Sequence, residues 1–336
     1  MNNKITYSLV FLFALVLTFL SGQNTAFAQS DNPESSLPSY KAGGFLQQQF
    51  TFDQTEDIPP RFAIHRARIG VTGNITEQIS VNFIGGFKEP PNNTPRLVNA
   101  FIDFDVHSIL KVRTGQFLLP FGLEGPEPIF LNPAIERATA TRRLNTFAMF
   151  RDIGIQLSGS QSRFNYAVAL VNGAGANNIE QIEPKDLMGR VGFILTDELR
   201  AGISGHAGQY QPAGTTNDHE SRFRTGVDMR YESDPLFIRG EYIFRWDDLP
   251  SGDTREISGG YLLGGFELTE ELQTIARFEY FKPDTGIDDN HFTAFTIGAN
   301  YYFIGNTRLS ANYEFRNDQL NPEINNLFTV QMQVAL

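Results

Sequence analysis

The chain has 336 residues, 41% of them hydrophobic, 12% aromatic and 19% charged, with 30 Gly, 30 Phe, no Cys and a formal net charge of -11. Zero cysteine excludes a disulfide framework, a thiolate zinc site and a cysteine nucleophile, and the acidic balance argues against nucleic acid, whose phosphates it would repel. A mean hydropathy of -0.25 with one long apolar run excludes a polytopic helical membrane protein, which needs several runs of ~20 apolar residues.

That run opens the chain. Met1 to Lys4 is weakly basic, Ile5 to Leu20 is apolar, and Ala26-Phe27-Ala28 precedes Gln29, which together read as a signal peptide over residues 1–28. Its removal takes one Lys and no acid, leaving 26 basic against 38 acidic residues, or -12. A polar, proline-containing leader, 29–40, is expected in the periplasm, followed by one repeating unit over 41–336.

The unit is a stretch of about 9 to 12 residues in which apolar side chains alternate with small or polar ones, the period of a strand wet on one face. In chain order it predicts strands at 42–52, 61–73, 75–87, 95–106, 109–118, 151–159, 162–171, 187–195, 199–209, 222–232, 235–246, 256–268, 271–281, 291–304, 306–317 and 326–336. The connections alternate. Gly73-Asn74, His107-Ser108, Gly159-Ser160-Gln161, Thr196-Asp197-Glu198, Ser233-Asp234, Thr269-Glu270 and Gly305 are tight, whereas 53–60, 88–94, 119–150, 172–186, 210–221, 247–255, 282–290 and 318–325 are longer and polar. Sixteen such strands, with short turns at one end and long loops at the other, predict a transmembrane antiparallel β-barrel of the bacterial outer membrane.

Each strand separates two chemistries. Val98, Ala100, Ile102, Phe104 and Val106 alternate with Asn99, Phe101, Asp103 and Asp105; Ile238, Tyr242, Phe244 and Trp246 alternate with Arg239, Glu241 and Arg245. The apolar set is expected to meet lipid and the polar set a lumen too wide for side chains to fill. The last strand sets Phe328, Val330, Met332, Val334 and Leu336 against Thr329, Gln331, Gln333 and Ala335, an apolar ending suited to the barrel-assembly machinery.

The block FAIHRARIGVTGNITEQISVNFIGGF (Phe62 to Phe87), LVNAFIDFDVHSILKVRTGQFLLPFGLEG (Leu97 to Gly125), RDIGIQLSG (Arg151 to Gly159) and ALVNGAG (Ala169 to Gly175) resembles the phosphate-selective porin O and P family. The resemblance is clearest over 40–175. It implies a homotrimeric, sixteen-stranded channel whose anion preference is set by lumen arginines and inward loops.

The residues themselves support an ion path. The polar register places Arg66, Arg68, Arg113, Arg190, Arg222, Arg224, Arg230, Arg239, Arg245, Arg277, Arg308 and Arg316 inward, twelve of 21 Arg, against the acids Asp103, Asp105, Asp228, Glu241, Glu267, Glu279 and Glu314. Arginine stays ionised and offers oxyanions a planar fork; pairing of the same arginines with wall carboxylates is the plainer reading. The loop 119–150, stiffened by Pro120, Pro126, Pro128 and Pro133, is a candidate constriction with Arg137, Arg142 and Arg143 at its narrowest point. After cleavage the lysines are only Lys41, Lys88, Lys111, Lys185 and Lys282, too few to carry over a lysine-built phosphate site.

No cofactor or metal is implied, because His65, His107, His206, His219 and His291 are scattered over separate strands and loops without the spacing of a metal motif. No catalytic constellation emerges either. The sequence therefore predicts a porin passing small anions and other small hydrophilic solutes, embedded in outer-membrane lipid. A surface-binding barrel such as an adhesin or receptor is the alternative, and it would need longer loops.

Overall fold

A strand of alternating polarity is stable in a bilayer only when both its edges are paired, because hydrocarbon offers backbone groups no partner. In the computed structural model, which describes residues 37–336 apart from 91–93, 146, 179–184, 211–219 and 250, this requirement is met by closure. Sixteen antiparallel strands form one closed barrel: β1 (Ser39–Asp53), β2 (Arg61–Asn74), β3 (Ile79–Glu89), β4 (Thr94–His107), β5 (Leu110–Leu118), β6 (Arg151–Gln161), β7 (Phe164–Val171), β8 (Asp186–Ile194), β9 (Leu199–Tyr210), β10 (Glu220–Ser233), β11 (Leu236–Asp248), β12 (Thr254–Glu267), β13 (Leu272–Lys282), β14 (Phe292–Ile304), β15 (Thr307–Asp318) and β16 (Leu327–Ala335). Each pairs with its chain neighbours, and β1 pairs with β16 from Phe45 opposite Ala335 to Asp53 opposite Leu327. The expected signal peptide, 1–28, and the leader as far as residue 36 lie outside the described residues.

All sixteen predicted strands are present. The largest shift is at β3, where the turn falls at 75–78 instead of Gly73-Asn74. Its cause is Thr76, whose hydroxyl accepts from Gln78 N at 3.2 Å and Ile79 N at 3.0 Å, while Ile75 N donates to Ile79 O at 2.8 Å. The same five-residue cassette closes β8 to β9, with Thr196 accepting from Glu198 N and Leu199 N, and β12 to β13, with Thr269 accepting from Glu271 N and Leu272 N. Leu195 N to Leu199 O and Leu268 N to Leu272 O are again 2.8 Å.

The two faces separate as the alternation requires. Phe83, Ile203, Leu262 and Phe278 are exposed on the outside, whereas Gln47, Asp103, Arg224 and Arg277 point inward and are buried. Two residues break the pattern at bulges. His65 is the extra residue where Gln47 and Gln48 face Arg66 and Ile64, and Val98 is skipped where Ile84 and Gly85 face Asn99 and Leu97. A bulge turns its extra residue out of register, so Val98, expected on the lipid face, is fully buried.

The seam is closed by side chains as well as backbone. On the inner face Gln47 Nε2 donates to Gln333 Oε1 at 2.7 Å and Gln49 Nε2 to Gln331 Oε1 at 2.9 Å, and all four residues are buried.

The connection 119–150 runs inside the barrel. It carries a short helical turn, Ile129–Leu131, and one helix, α1 (Thr139–Leu144), which packs on β11, β12 and β13. Apolar wall positions receive it: Phe121, Ala140 and Leu144 pack with Ile243, Ile257, Phe281 and Phe292, and Ala134 and Ala138 with Tyr261, Leu263 and Ile275.

Replacing one member of a buried amide pair strands the other, whereas replacing both with apolar groups is nearly neutral. Gln331→Leu is therefore expected to destabilise closure by about 1–3 kcal/mol, and Gln49→Leu combined with Gln331→Leu to recover most of it. The temperature at which the purified barrel loses its compact gel mobility checks both.

Candidate functional site: a loop held inside the barrel

Peptide groups carried into a protein interior must find partners away from bulk water, and the charged inner wall supplies them. Arg224 Nη1 donates to Leu144 O at 3.1 Å, Arg277 Nη1 to Glu136 O at 2.7 Å, and Arg308 Nη2 to Asn132 O. Asn300 Nδ2 donates to Pro133 O at 2.9 Å and Gln333 Nε2 to Phe130 O at 3.0 Å. Carboxylates serve the loop's amides: Glu241 accepts from Leu123 N at 3.2 Å and Glu124 N at 3.4 Å, and Glu279 accepts from Thr139 N. Gly122 N donates to Ser204 Oγ at 2.9 Å. A side chain at Gly122 is excluded twice, by its φ of 75° and by Glu241 Oε1, which occupies the space a Cβ would take.

Most of the twelve arginines assigned to the lumen are occupied by carboxylates. Arg66 forks onto Glu136 at 3.2 and 3.1 Å, Arg68 onto Glu89 at 2.7 and 2.6 Å, Arg113 onto Asp103 at 2.7 and 2.8 Å, and Arg190 onto Asp228 at 3.0 and 2.6 Å. Arg222 and Arg245 share Asp247, Arg277 pairs with Glu279 at 2.6 Å, and Arg316 with Asp53 at 2.8 Å. Arg230 and Arg239 stand opposite each other on β10 and β11, and Glu127 of the loop bridges them at 2.6 and 2.7 Å. Among the described residues, Arg224 and Arg308 have no carboxylate partner. Arg308 donates to Tyr302 Oη at 2.9 Å, and Arg224 lies between the Phe121 and Phe147 rings, 4.8 and 5.2 Å from their centroids.

Arg66, Arg222, Arg224, Arg239, Arg245, Arg277 and Arg308 are thus buried, and Arg66, Arg224, Arg239, Arg277 and Arg308 bond directly to the loop. They face inward without facing open water, because the loop occupies space that the strand pattern leaves empty. Arg68, Arg113, Arg190, Arg230 and Arg316 are half-buried. Below the loop a cleft of about 270 Å³ is lined in part by Glu127, Asn165, Arg190, Arg200, Asp228 and Arg230.

The three loop arginines divide. Arg137 is buried, donates to Glu124 O at 2.9 Å and to Glu127 O, and lies over the Phe150 ring at 4.4 Å. Burial lowers its pKa to about 10 against the pull of Glu124. Arg142 and Arg143 are exposed on α1. Among the described residues Arg142 donates within the loop, to Arg137 O at 3.1 Å and Thr139 Oγ1 at 3.2 Å; Arg143 lies 3.7 Å from Asp318 with its side chain 41% exposed.

Sequence reading gave the loop's own carboxylates, Glu124, Glu127 and Glu136, no role. Glu124, fully buried, accepts from Ala138 N at 2.9 Å and Asn132 Nδ2 at 3.1 Å, and burial raises its pKa against the charges of Arg277 and Arg137. Glu136 meets His65 Nε2 at 2.6 Å in addition to Arg66; burial would raise its pKa, but the Arg66 charge and His65 outweigh burial and hold it well below the ordinary carboxylate range. His65 reaches it because of the bulge, which alternation alone does not reveal. His206 pairs with Asp186 at 2.8 Å, and His219 lies outside the described residues.

A closed sixteen-stranded barrel with a loop fastened across its interior defines the porin class of outer-membrane protein. Residues 44–335 match the family described as "Putative beta-barrel porin-2, OmpL-like", and the chain belongs to that family. No curated protein matches the sequence. Solved structures share the fold at low identity: OmpT of Vibrio cholerae in its trimer form (TM-score 0.69, 12% identity, covering 90% of this chain and 100% of that one), the outer-membrane channel DcaP of Acinetobacter baumannii (0.68, 11%, 91% and 99%) and the anion-selective porin from Comamonas acidovorans (0.65, 13%, 89% and 100%). The family shown is this one, where the sequence blocks pointed toward the phosphate-selective porins.

Two outcomes follow for the loop. Glu127→Ala leaves Arg230 and Arg239 facing each other without their bridge and is expected to weaken docking by about 3 kcal/mol, read as new tryptic cleavage after Arg142 or Arg143. The folded-state pKa of Glu136 lies below its unfolded value, so its stabilisation is complete above the ordinary carboxylate range and is lost as pH falls through the depressed value. Hydrogen exchange of the loop amides, corrected for intrinsic rate, is expected to hold at about pH 5 and rise only in stronger acid; Arg66→Gln moves that rise to higher pH.

Proposed function

We propose that the protein is a passive diffusion channel of the outer membrane, passing small hydrophilic solutes, in which the loop 119–150 narrows the lumen and gives the passage a preference for small anions. One observation carries this reading: of the fifteen arginines singled out in the lumen register and the loop, only Arg142 and Arg143 are exposed. Both sit on an element pinned inside the barrel. A fixed charge in a narrow, low-dielectric passage raises the local concentration of its counter-ion, whereas an arginine forked onto a carboxylate contributes little net field. The expected preference is therefore mild.

Phosphate specificity is not part of the proposal. The loop 119–150 contains no lysine, and its third arginine, Arg137, is committed to backbone carbonyls. Export by the signal peptide, insertion by the barrel-assembly machinery through β16, and a homotrimer in outer-membrane lipid complete the reading; for the last, OmpT of Vibrio cholerae supplies a trimer form of the same fold. Transport across such a channel needs neither cofactor nor catalysis.

In planar bilayers under a salt gradient the purified protein is expected to conduct with a reversal potential on the anion side. Arg142→Glu with Arg143→Glu is expected to move it toward cations. A folded double variant with unchanged selectivity would remove the loop arginines from that role, and a folded wild-type protein that does not conduct would remove the channel.

A further inference from the structure

The strand register sets three arginines abreast near the short-turn end of the barrel. Arg200 on β9 stands opposite Arg230 on β10, and Arg230 opposite Arg239 on β11. Like charges directly opposite one another destabilise a sheet, so the row needs anions. Glu127 of the loop serves Arg230 and Arg239, and Glu232 reaches Arg200 at 3.3 Å and Arg230 at 3.7 Å. On the neighbouring β8, Arg190 is forked onto Asp228. The guanidinium groups of Arg190, Arg200, Arg230 and Arg239 thus share the carboxylates of Glu127, Asp228 and Glu232, and one positive charge is left over. Glu241, opposite Asp228 on β11, is turned onto the loop amides of Leu123 and Glu124.

The same groups enclose the cleft of about 270 Å³ below the loop. Its floor is low because two glycines lie abreast, Gly192 on β8 and Gly202 on β9, in a cross-strand row that runs from Asn165 on β7 to Asp228 on β10. A Cβ at either glycine would run into the Arg190 guanidinium, which lies over them. The roof is apolar, made by Leu123 and Pro126 of the loop. Inside, the carboxylate acceptors are engaged and several donors are not. Asp228 gives both oxygens to Arg190, and Glu127 gives one each to Arg230 and Arg239. Nη1 of Arg190, Nη1 of Arg230 and the Asn165 carboxamide make no hydrogen bond to a described residue, and Arg200 is exposed.

We infer that this cleft is a binding site for small organic monocarboxylates. Arg190, Arg200, Arg230 and Asn165 donate to the carboxylate, and Leu123 and Pro126 cover its short apolar body. An apolar wall with a few convergent polar groups is the make-up of a small-molecule site, and guanidinium donates to a carboxylate in charge-assisted bonds. The one positive charge left over matches a monoanion. Sulfate, a dianion with no apolar part, matches neither the charge nor the roof. An ammonium group meets carboxylates whose oxygens are already taken, so cations are disfavoured. The inference rests on the channel proposed above and names a class of solute that its lower half retains.

Calorimetry on the folded protein in detergent tests the site without requiring transport. The expected result is saturable binding of butyrate in the millimolar range, binding of sulfate about tenfold weaker, and no binding of butylammonium. Arg200→Gln removes charge-assisted donors at an exposed position and is expected to weaken butyrate about tenfold. Asn165→Leu, which replaces a donor by an apolar group, is expected to weaken it as well, and the compact gel mobility of each variant checks its fold. Butyrate binding that is unchanged in folded Arg200→Gln, or matched by sulfate, would overturn the site. Current in planar bilayers separates the two readings. A conducting protein that binds no butyrate loses the site and keeps the channel; one that binds butyrate in the expected pattern yet carries no current keeps the site and loses the channel.

Discussion

Every peptide group that this chain takes out of water has to be met by another group, and the architecture follows from how that is done. In the wall the partners are neighbouring strands, and closure of β1 on β16 leaves no strand edge unpaired. Inside, the problem returns, because the loop 119–150 carries irregular backbone through the lumen and no strand is available to it. Charged and amide side chains of the wall take the strand's place: arginines donate to loop carbonyls and glutamates accept loop amides. Once engaged, those side chains also need counter-charges, which explains why Glu124, Glu127 and Glu136 enter with the loop.

Seen this way, the acidic excess and the surplus of arginine are two parts of one arrangement. A buried charge that loses its partner costs far more than an exposed one, so wall and loop have to be specified together. Apolar contacts such as Phe121 and Leu144 on Ile243 and Ile257 supply bulk burial, but the ion pairs fix which part of the loop lies where. The guanidinium of Arg224 between two loop phenylalanines combines both kinds of contact in one residue.

The strand pattern was legible because alternation has a physical cause that survives any particular choice of residue: lipid on one side and a polar interior on the other. The same cause accounts for a shared fold with the Vibrio and Comamonas proteins at 12% and 13% identity. Turn position was less legible, since Thr76 draws its amides by a side-chain bond that strand periodicity does not register. The lumen was half legible. Period two places Arg277 and Glu241 on the inner face correctly, yet it cannot say that one serves Glu136 O and the other the Leu123 amide, because those contacts join segments more than a hundred residues apart. His65 was illegible for a third reason, a bulge that shifts the register by one residue.

The threonine-headed turn occurs three times with the same hydrogen bonds, always at the end of the barrel opposite the inward loop's attachment, and each copy belongs to a complete two-stranded hairpin. A self-contained closing piece makes the hairpin an interchangeable part. A hairpin copied together with its cassette brings its own corner, so a lineage, or a designer, can widen such a barrel by two strands at a time without inventing new corners. What limits that growth lies in the interior, where a wider bore would pull the wall away from a loop cut to its present span.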